Sequence, residues 1–244
     1  GKSDFTGSGS LTTTSLDASA SGATFNLYAG TVTIDGGDFK PASGNYALEP
    51  GGTDTAVINL QDGAEMEVSG YLRLQVGSTL NVTDSTVTVD DYIGIGSRNN
   101  ESGGGKMVVD GTNAQVTTAN GRLFVGGAGG TGRVTVKNGG SIDIATDLDL
   151  AYSSHSGTQG HVSVESGGSI QVGGNITIGT GSGTATDGGN LTITGTNSAL
   201  TQIGSGSVIV GRTSGANNTG NLVVMDGGTF TTGFDDDRHG DLRI

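Results

Sequence analysis

An imperfect repeat of about 22 to 31 residues runs from Gly30 nearly to the end of the chain, which restricts it to architectures built from stacked, equivalent units. Each copy reads Gly-x-Val-x-Val, then Gly-Gly-Ser-Ile-x-Val, then x-Leu-x-Ile-Gly. The clearest are Gly132 to Gln159 (GRVTVKNGGSIDIATDLDLAYSSHSGTQ) and Gly160 to Gly188 (GHVSVESGGSIQVGGNITIGTGSGTATDG). Three short alternating segments without a helical period describe one turn of a parallel β-helix. The expected fold is all-β, a single-stranded solenoid of about eight coils with three short strands each.

Aligned on their first strands, the copies start at Gly30, Ala56, Ser78, Gly105, Gly132, Gly160, Gly189 and Gly220. The inward pairs are then Val32/Ile34, Ile58/Leu60, Leu80/Val82, Met107/Val109, Val134/Val136, Val162/Val164, Leu191/Ile193 and Leu222/Val224. A spacing of two puts both side chains on one face, and coils stacked at ~4.8 Å lay like on like. Second strands supply pairs such as Val87/Val89 and Ile142/Ile144. Third strands supply Leu72/Leu74, Ile93/Ile95, Leu123/Val125, Leu148/Leu150, Ile176/Ile178 and Val208/Val210, mostly closed by Gly96, Gly126, Gly179 or Gly211. Variable loops after the third strand account for the changing repeat length.

Composition agrees with a long, thin core. Of 244 residues 48 are Gly and only 5% are aromatic, too few large side chains for an ordinary globular interior. Residues 1–29 are less regular and are expected to form a degenerate coil or cap over an open strand edge, with 30–244 as the array. Asp241-Leu242-Arg243-Ile244 matches the opening of a third strand, so the array is expected to continue beyond it. A net charge of −13 with 11 scattered basic residues argues against nucleic acid, and no stretch is apolar enough for direct membrane insertion. Without cysteine there is no thiolate nucleophile and no Cys-based metal site.

The segments VDGTNAQVTTANGRLFVGG (Val109 to Gly127) and ITGTNSALTQIGSGSVIVGR (Ile193 to Arg212) resemble the repeats of autotransporter-type passenger domains and related large bacterial surface β-helix proteins. The resemblance covers roughly residues 30–244. It implies a right-handed helix, secretion to the extracellular space or bacterial cell surface, and a role in adhesion, aggregation or biofilm.

The residues that could carry chemistry are few. Gly127 to Gly132 fits GxGxxG, but it lies between strands with no helix to hold a pyrophosphate, so no nucleotide or other cofactor is expected. Glycoside hydrolysis needs two carboxyls ~5 to 9.5 Å apart, which draws attention to Glu65/Glu67, Asp90/Asp91 and Asp147/Asp149. Asp147 and Asp149 are expected to face solvent on a third strand, with Arg122 and Phe124 one coil away on one side and Asn175 and Thr177 on the other. With one basic neighbour and no further carboxylate, Asp147, Asp149, Arg122 and Phe124 are candidates for binding, no residue is assigned to catalysis, and a solvated Arg122–Asp147 pair worth ~0 to 1 kcal/mol is the simplest reading. The run Asp235, Asp236 and Asp237 is a calcium candidate through its oxygens alone, since the GGxGxDxUx coil signature is absent. His155, His161 and His239 lack metal-ligand spacing. The outward rank Thr33, Asn59, Asn81, Val108, Thr135, Ser163, Thr192, Val223 is too irregular for an ice-binding face.

The expected function is therefore a non-enzymatic stalk or adhesin whose partner is a surface glycan or a protein. The alternatives are a carbohydrate-active β-helix enzyme and a subunit that self-associates through exposed Phe124, Ile209, Val108 and Val223.

Overall fold

The structure, a computed structural model, describes residues 2–50, 54–97, 104–127, 129–151, 157–179, 188–211, 219–233 and 242–243. The described residues contain no helix, and their strands recur in threes, a first, a second and a third strand in every coil. They assemble into three parallel sheets of nine, nine and eight strands, a β-solenoid of about seven turns. The first sheet runs from Ser10–Thr13 to Thr219–Met225, and the second from Leu16–Asp17 to Thr229–Thr231. The third comprises Tyr46–Leu48, Leu72–Leu74, Ile93–Ser97, Leu123–Gly127, Leu148–Leu150, Ile176–Ile178, Val208–Val210 and Leu242–Arg243.

The register follows the repeat alignment: Gly105 pairs with Gly132, Gly132 with Gly160, Gly160 with Gly189 and Gly189 with Gly220. Each inward side chain thus sits on its equivalent one coil away. Val109, Val136 and Val164 form such a stack, none with measurable exposure. β-Branched residues suit this position because they pack on a pleated surface with little rotamer freedom to lose. Leu222 and Val224 are inward by register, but their strand is the last of the first sheet, and Val224 is 42% exposed. Two second strands that break the apolar alternation put polar side chains into the core: Thr118 donates to the Gly121 carbonyl (2.8 Å) and accepts from the Ala145 amide (3.1 Å), and Gln202 donates to the Gly174 carbonyl (2.7 Å).

Near the N-terminus the chain is also strand-forming. Lys2–Phe5 pairs with Thr24–Leu27 in a separate two-stranded sheet, while Ser10–Thr13 and Leu16–Asp17 extend the first and second sheets. Large rings fill this end: Phe25 meets Phe39 edge to face at 6.4 Å, and Phe39 meets Tyr46 at 6.3 Å.

The corners explain the glycine content. Gly126 closes a third strand at φ 75°, and a Cβ there would lie 2.1 Å from the Gln159 carbonyl oxygen of the next coil. Gly132 opens a first strand, and its Cβ would lie 2.4 Å from the Gly126 nitrogen, so the backbone turns against itself with no room for a side chain. At the opposite corner Asp62, Asp84, Asn138, Ser166 and Asp226 adopt φ between 45° and 54°. Asp and Asn are the residues best able to enter this left-handed region after glycine.

Candidate functional site

Because a solenoid buries one face of every strand, function must be written on the outward ranks. The third sheet carries the one on which the sequence candidates converge. Its register aligns Arg73, Gly94, Phe124, Asp149 and Thr177 on successive coils. The residues preceding these strands form a second rank: Tyr71, Tyr92, Arg122, Asp147 and Asn175.

Along these two ranks the aromatic rings make a ladder. Tyr71 and Tyr92 stack with centroids 5.0 Å apart and planes 15° from parallel, and Phe124 continues the stack at 5.2 Å with a tilt of 34°. The spacing is that of the strands themselves, so the backbone dictates the contact of Tyr71 with Tyr92 on one rank, and Phe124, on the other rank, joins it diagonally across the next coil. Arg73 lies over the Tyr71 ring at 4.3 Å and donates from Nη2 to the Tyr92 hydroxyl. Arg122 covers Phe124 at 5.7 Å. Guanidinium over ring faces is a favourable arrangement, worth ~0.5 to 1 kcal/mol where water reaches it. Tyr71, Arg73, Tyr92, Arg122 and Phe124 are all half-buried, which leaves ring edges and guanidinium groups at the surface.

The carboxylates sit at the far end of this ladder and differ from each other. Asp147 is half-buried and accepts from both the backbone amide and the side-chain nitrogen of Asn175, at 2.6 and 3.0 Å. Asp149, expected at the solvent face, is only 5% exposed. It is outward, but Phe124 and Thr177 flank it on the adjacent coils and Arg122 reaches it diagonally, Nη1 to Oδ2 at 3.5 Å. The salt bridge on the ladder thus runs from Arg122 to Asp149. Thr177 donates to the other carboxyl oxygen. Burial pushes the Asp149 carboxyl above its ordinary value, opposed by the Thr177 hydrogen bond and the charge of Arg122.

The structure therefore brings Arg122, Phe124, Asp147 and Asp149 together and adds Tyr71, Arg73 and Tyr92, which single-strand reading overlooked. The signal was available: stacking the third strands in the alignment puts Tyr71, Tyr92 and Arg122 in one column. Asp90 and Asp91 lie at the corner before Tyr92, where their backbone amides bond to the previous coil. Glu67 pairs with Lys40 at 3.0 Å. Among the described residues no group of three or more His, Asp or Glu could hold a metal ion. Asp235, Asp236, Asp237, His155 and His239 lie outside the described residues.

No family model, curated protein or solved structure matches this chain. The face must be interpreted from its own chemistry. Asp149 has both oxygens engaged, one by Thr177 and one by Arg122, so it acts as a clamp that holds Arg122 over Phe124. The arrangement can present a rigid strip of ring edges, guanidinium donors and the Asp147 carboxylate.

Proposed function

We propose that the chain is a segment of an extracellular bacterial surface protein, a rigid β-helical stalk with an adhesive face for a surface glycan. The observation that carries this reading is the in-register ladder. Interior strands are hydrogen-bonded on both sides across three sheets, around one continuous apolar core. Such a body resists bending and presents its outward ranks at fixed spacing, as a stalk or adhesin requires. The resemblance of the repeats to passenger domains supports the extracellular setting. Tyr and Arg, which dominate the third-sheet strip, combine ring surface with directional donors and are enriched at binding hot spots.

The experiment is to pass the purified chain over immobilised bacterial, plant and animal polysaccharides, following both retention and the release of new chain ends. Retention lost in Tyr92→Ala and Arg73→Gln, with no release, is the expected result. Release abolished by Asp147→Asn or Asp149→Asn would replace the adhesin with a carbohydrate-active enzyme. Concentration-dependent sedimentation without glycan retention would replace it with a self-associating subunit.

A further inference from the structure

The outward face of the first sheet holds an arrangement that ladder energetics alone does not favour. Lys106, Arg133 and His161 occupy one rank on three consecutive coils, Lys106 directly opposite Arg133 and Arg133 directly opposite His161. Like charges facing each other across adjacent strands repel. Lys106 and Arg133 are both exposed, and among the described residues neither side chain has a hydrogen bond or ion pair. This is notable in a chain with 24 acidic and 11 basic residues, where a counter-charge could have been placed on the next position of either strand.

The carboxylates on the same face are committed elsewhere. Asp110 pairs with Lys137 at 3.2 Å and accepts from Asn138, and Glu165 lies near the Ser163 hydroxyl at 3.4 Å. They lie four residues along the strands, about 13 Å from the rank, farther than the ~8 Å over which physiological salt screens charge. The rank between them carries Val108, Thr135 and Ser163, all uncharged.

The histidine adds an independent observation. Asn221 donates to the Asn190 side-chain oxygen at 2.7 Å, which leaves the Asn190 nitrogen to donate to Nδ1 of His161 at 3.2 Å. With Nδ1 accepting, the neutral ring carries its proton on Nε2. Nε2 is buried and has no hydrogen-bond partner. Burial, together with the charge of Arg133, lowers the pKa of this ring, which keeps it neutral. A buried donor without an acceptor is costly. Three successive coils thus carry donors that lack acceptors, in a line parallel to the axis of the solenoid and about 10 Å long.

We propose that Lys106, Arg133 and the Nε2–H of His161 form a binding strip for the acidic groups of a carboxylated or sulfated polysaccharide lying along the solenoid. An acidic group drawn in by Lys106 and Arg133 relieves their repulsion, and one that inserts beside Arg133, opening access to the covered Nε2, gives the histidine proton its missing acceptor. A flexible acidic glycan can place its charges on this short strip while the rest of the polymer avoids the acidic remainder of the surface. A nucleic acid duplex, charged uniformly along its length, cannot. This site lies on a different sheet from the aromatic strip and stands independently of it.

The test uses polygalacturonate and a sulfated dextran as probes at low ionic strength, with binding followed by calorimetry and the His161 ring by its nitrogen resonances. The expected result is binding weakened ~10-fold or more in Arg133→Gln and in Lys106→Gln, the loss of one charge-assisted hydrogen bond each. Lys40→Gln, whose cation is paired on the second sheet, leaves binding unchanged. Polymer binding also raises the pKa of His161. The proposal is overturned by no binding at low salt, or by equal binding of the parent and Arg133→Gln. Loss with Arg73→Gln but not Arg133→Gln would overturn it too, and would leave the third-sheet reading intact. Inorganic sulfate shifting His161 as far as the polymers do would show a simple anion site, and self-association abolished by Arg133→Gln without polymer would show that the strip meets a second copy; either would overturn the polysaccharide assignment.

Discussion

Removing Arg122 and removing Asp149 should have unequal consequences, and the asymmetry tests the account of the third-sheet strip. At 3.5 Å the gross attraction between the two charges is about 5 kcal/mol for an effective dielectric near 20. Desolvation of Asp149, whose side chain is 7% exposed, offsets much of it. Arg122→Ala leaves that carboxylate buried with the Thr177 hydroxyl as its remaining described hydrogen-bond donor. Breaking a fully buried pair costs ~3 to 5 kcal/mol. Arg122 is 42% exposed, so water softens the loss to about 2 kcal/mol, or a fall in Tm of ~4 to 8 °C. Asp149→Asn removes the buried charge along with its partner's attraction and should cost less than ~1 kcal/mol. The pH dependence follows from the raised pKa of Asp149. A carboxyl raised in the folded state contributes most below its unfolded value, and that contribution is lost as pH rises through the folded value. Without Arg122 the folded value rises further, so the deficit of Arg122→Ala should be largest near neutral pH, shrink as pH falls through the raised folded values and be nearly gone below about pH 4. Thermal unfolding from pH 3 to 8 measures this. Equal, pH-independent losses in the two variants would refute the clamp and return the pair to the surface.

Val136→Asp places an unpaired charge at a fully buried position between Val109 and Val164; a loss of several kcal/mol should appear as protease cleavage in the neighbouring coils as well, and resistance equal to the parent would reject this register. The Tyr46 hydroxyl is buried without a hydrogen-bond partner, so Tyr46→Phe should gain about 1 kcal/mol, seen as a Tm rise of ~2 to 4 °C. Asp62 has its pKa raised, first by its hydrogen bond to Asp35 and then by the charge of Asp35, so the stability tied to its protonated form is lost as pH rises. Asp62→Asn, compatible with φ 54°, should raise Tm at pH 7, with the gain vanishing in acid and at high salt; an equal gain at all pH values would contradict it.

Most of the fold was legible because one physical rule, like on like at strand spacing, repeats along the chain. All eight expected first strands pair in the aligned register. The misses occur where a polar residue stands in for an apolar one and finds a partner only in three dimensions, as Thr118 does with Gly121 and Ala145. The site was legible in part. Arg122, Phe124, Asp147 and Asp149 could be found as neighbours because they are opposite one another on adjacent coils. The burial of Asp149 could not, because it depends on a diagonal reach by Arg122 and a hydroxyl from the coil beyond. Tyr71 and Tyr92 went unnoticed because each looks like an isolated surface tyrosine until the coils are stacked.

The same rule indicates where function can reside in a chain of this kind. Every outward side chain has its ladder equivalents as neighbours, so a rank either satisfies itself or remains unsatisfied along the axis. Asn81 donating to Asn59 at 2.8 Å, and Asn59 to Thr33 at 3.3 Å, is a rank that closes on itself and stabilises the stack. The Tyr71, Tyr92 and Phe124 ladder closes through ring contact and leaves its edges outward. Lys106, Arg133 and His161 do not close on one another: the acceptor of His161 is taken by Asn190 on the next coil, and toward Arg133 and Lys106 the rank offers donors alone. Stability alone would have selected alternating charge at these positions, as Asp110 and Lys137 show four residues away on the same two strands. Because those strands supply the acid where a pair is wanted, the open rank is not a consequence of the fold, and an acceptor from outside the chain is what its chemistry calls for.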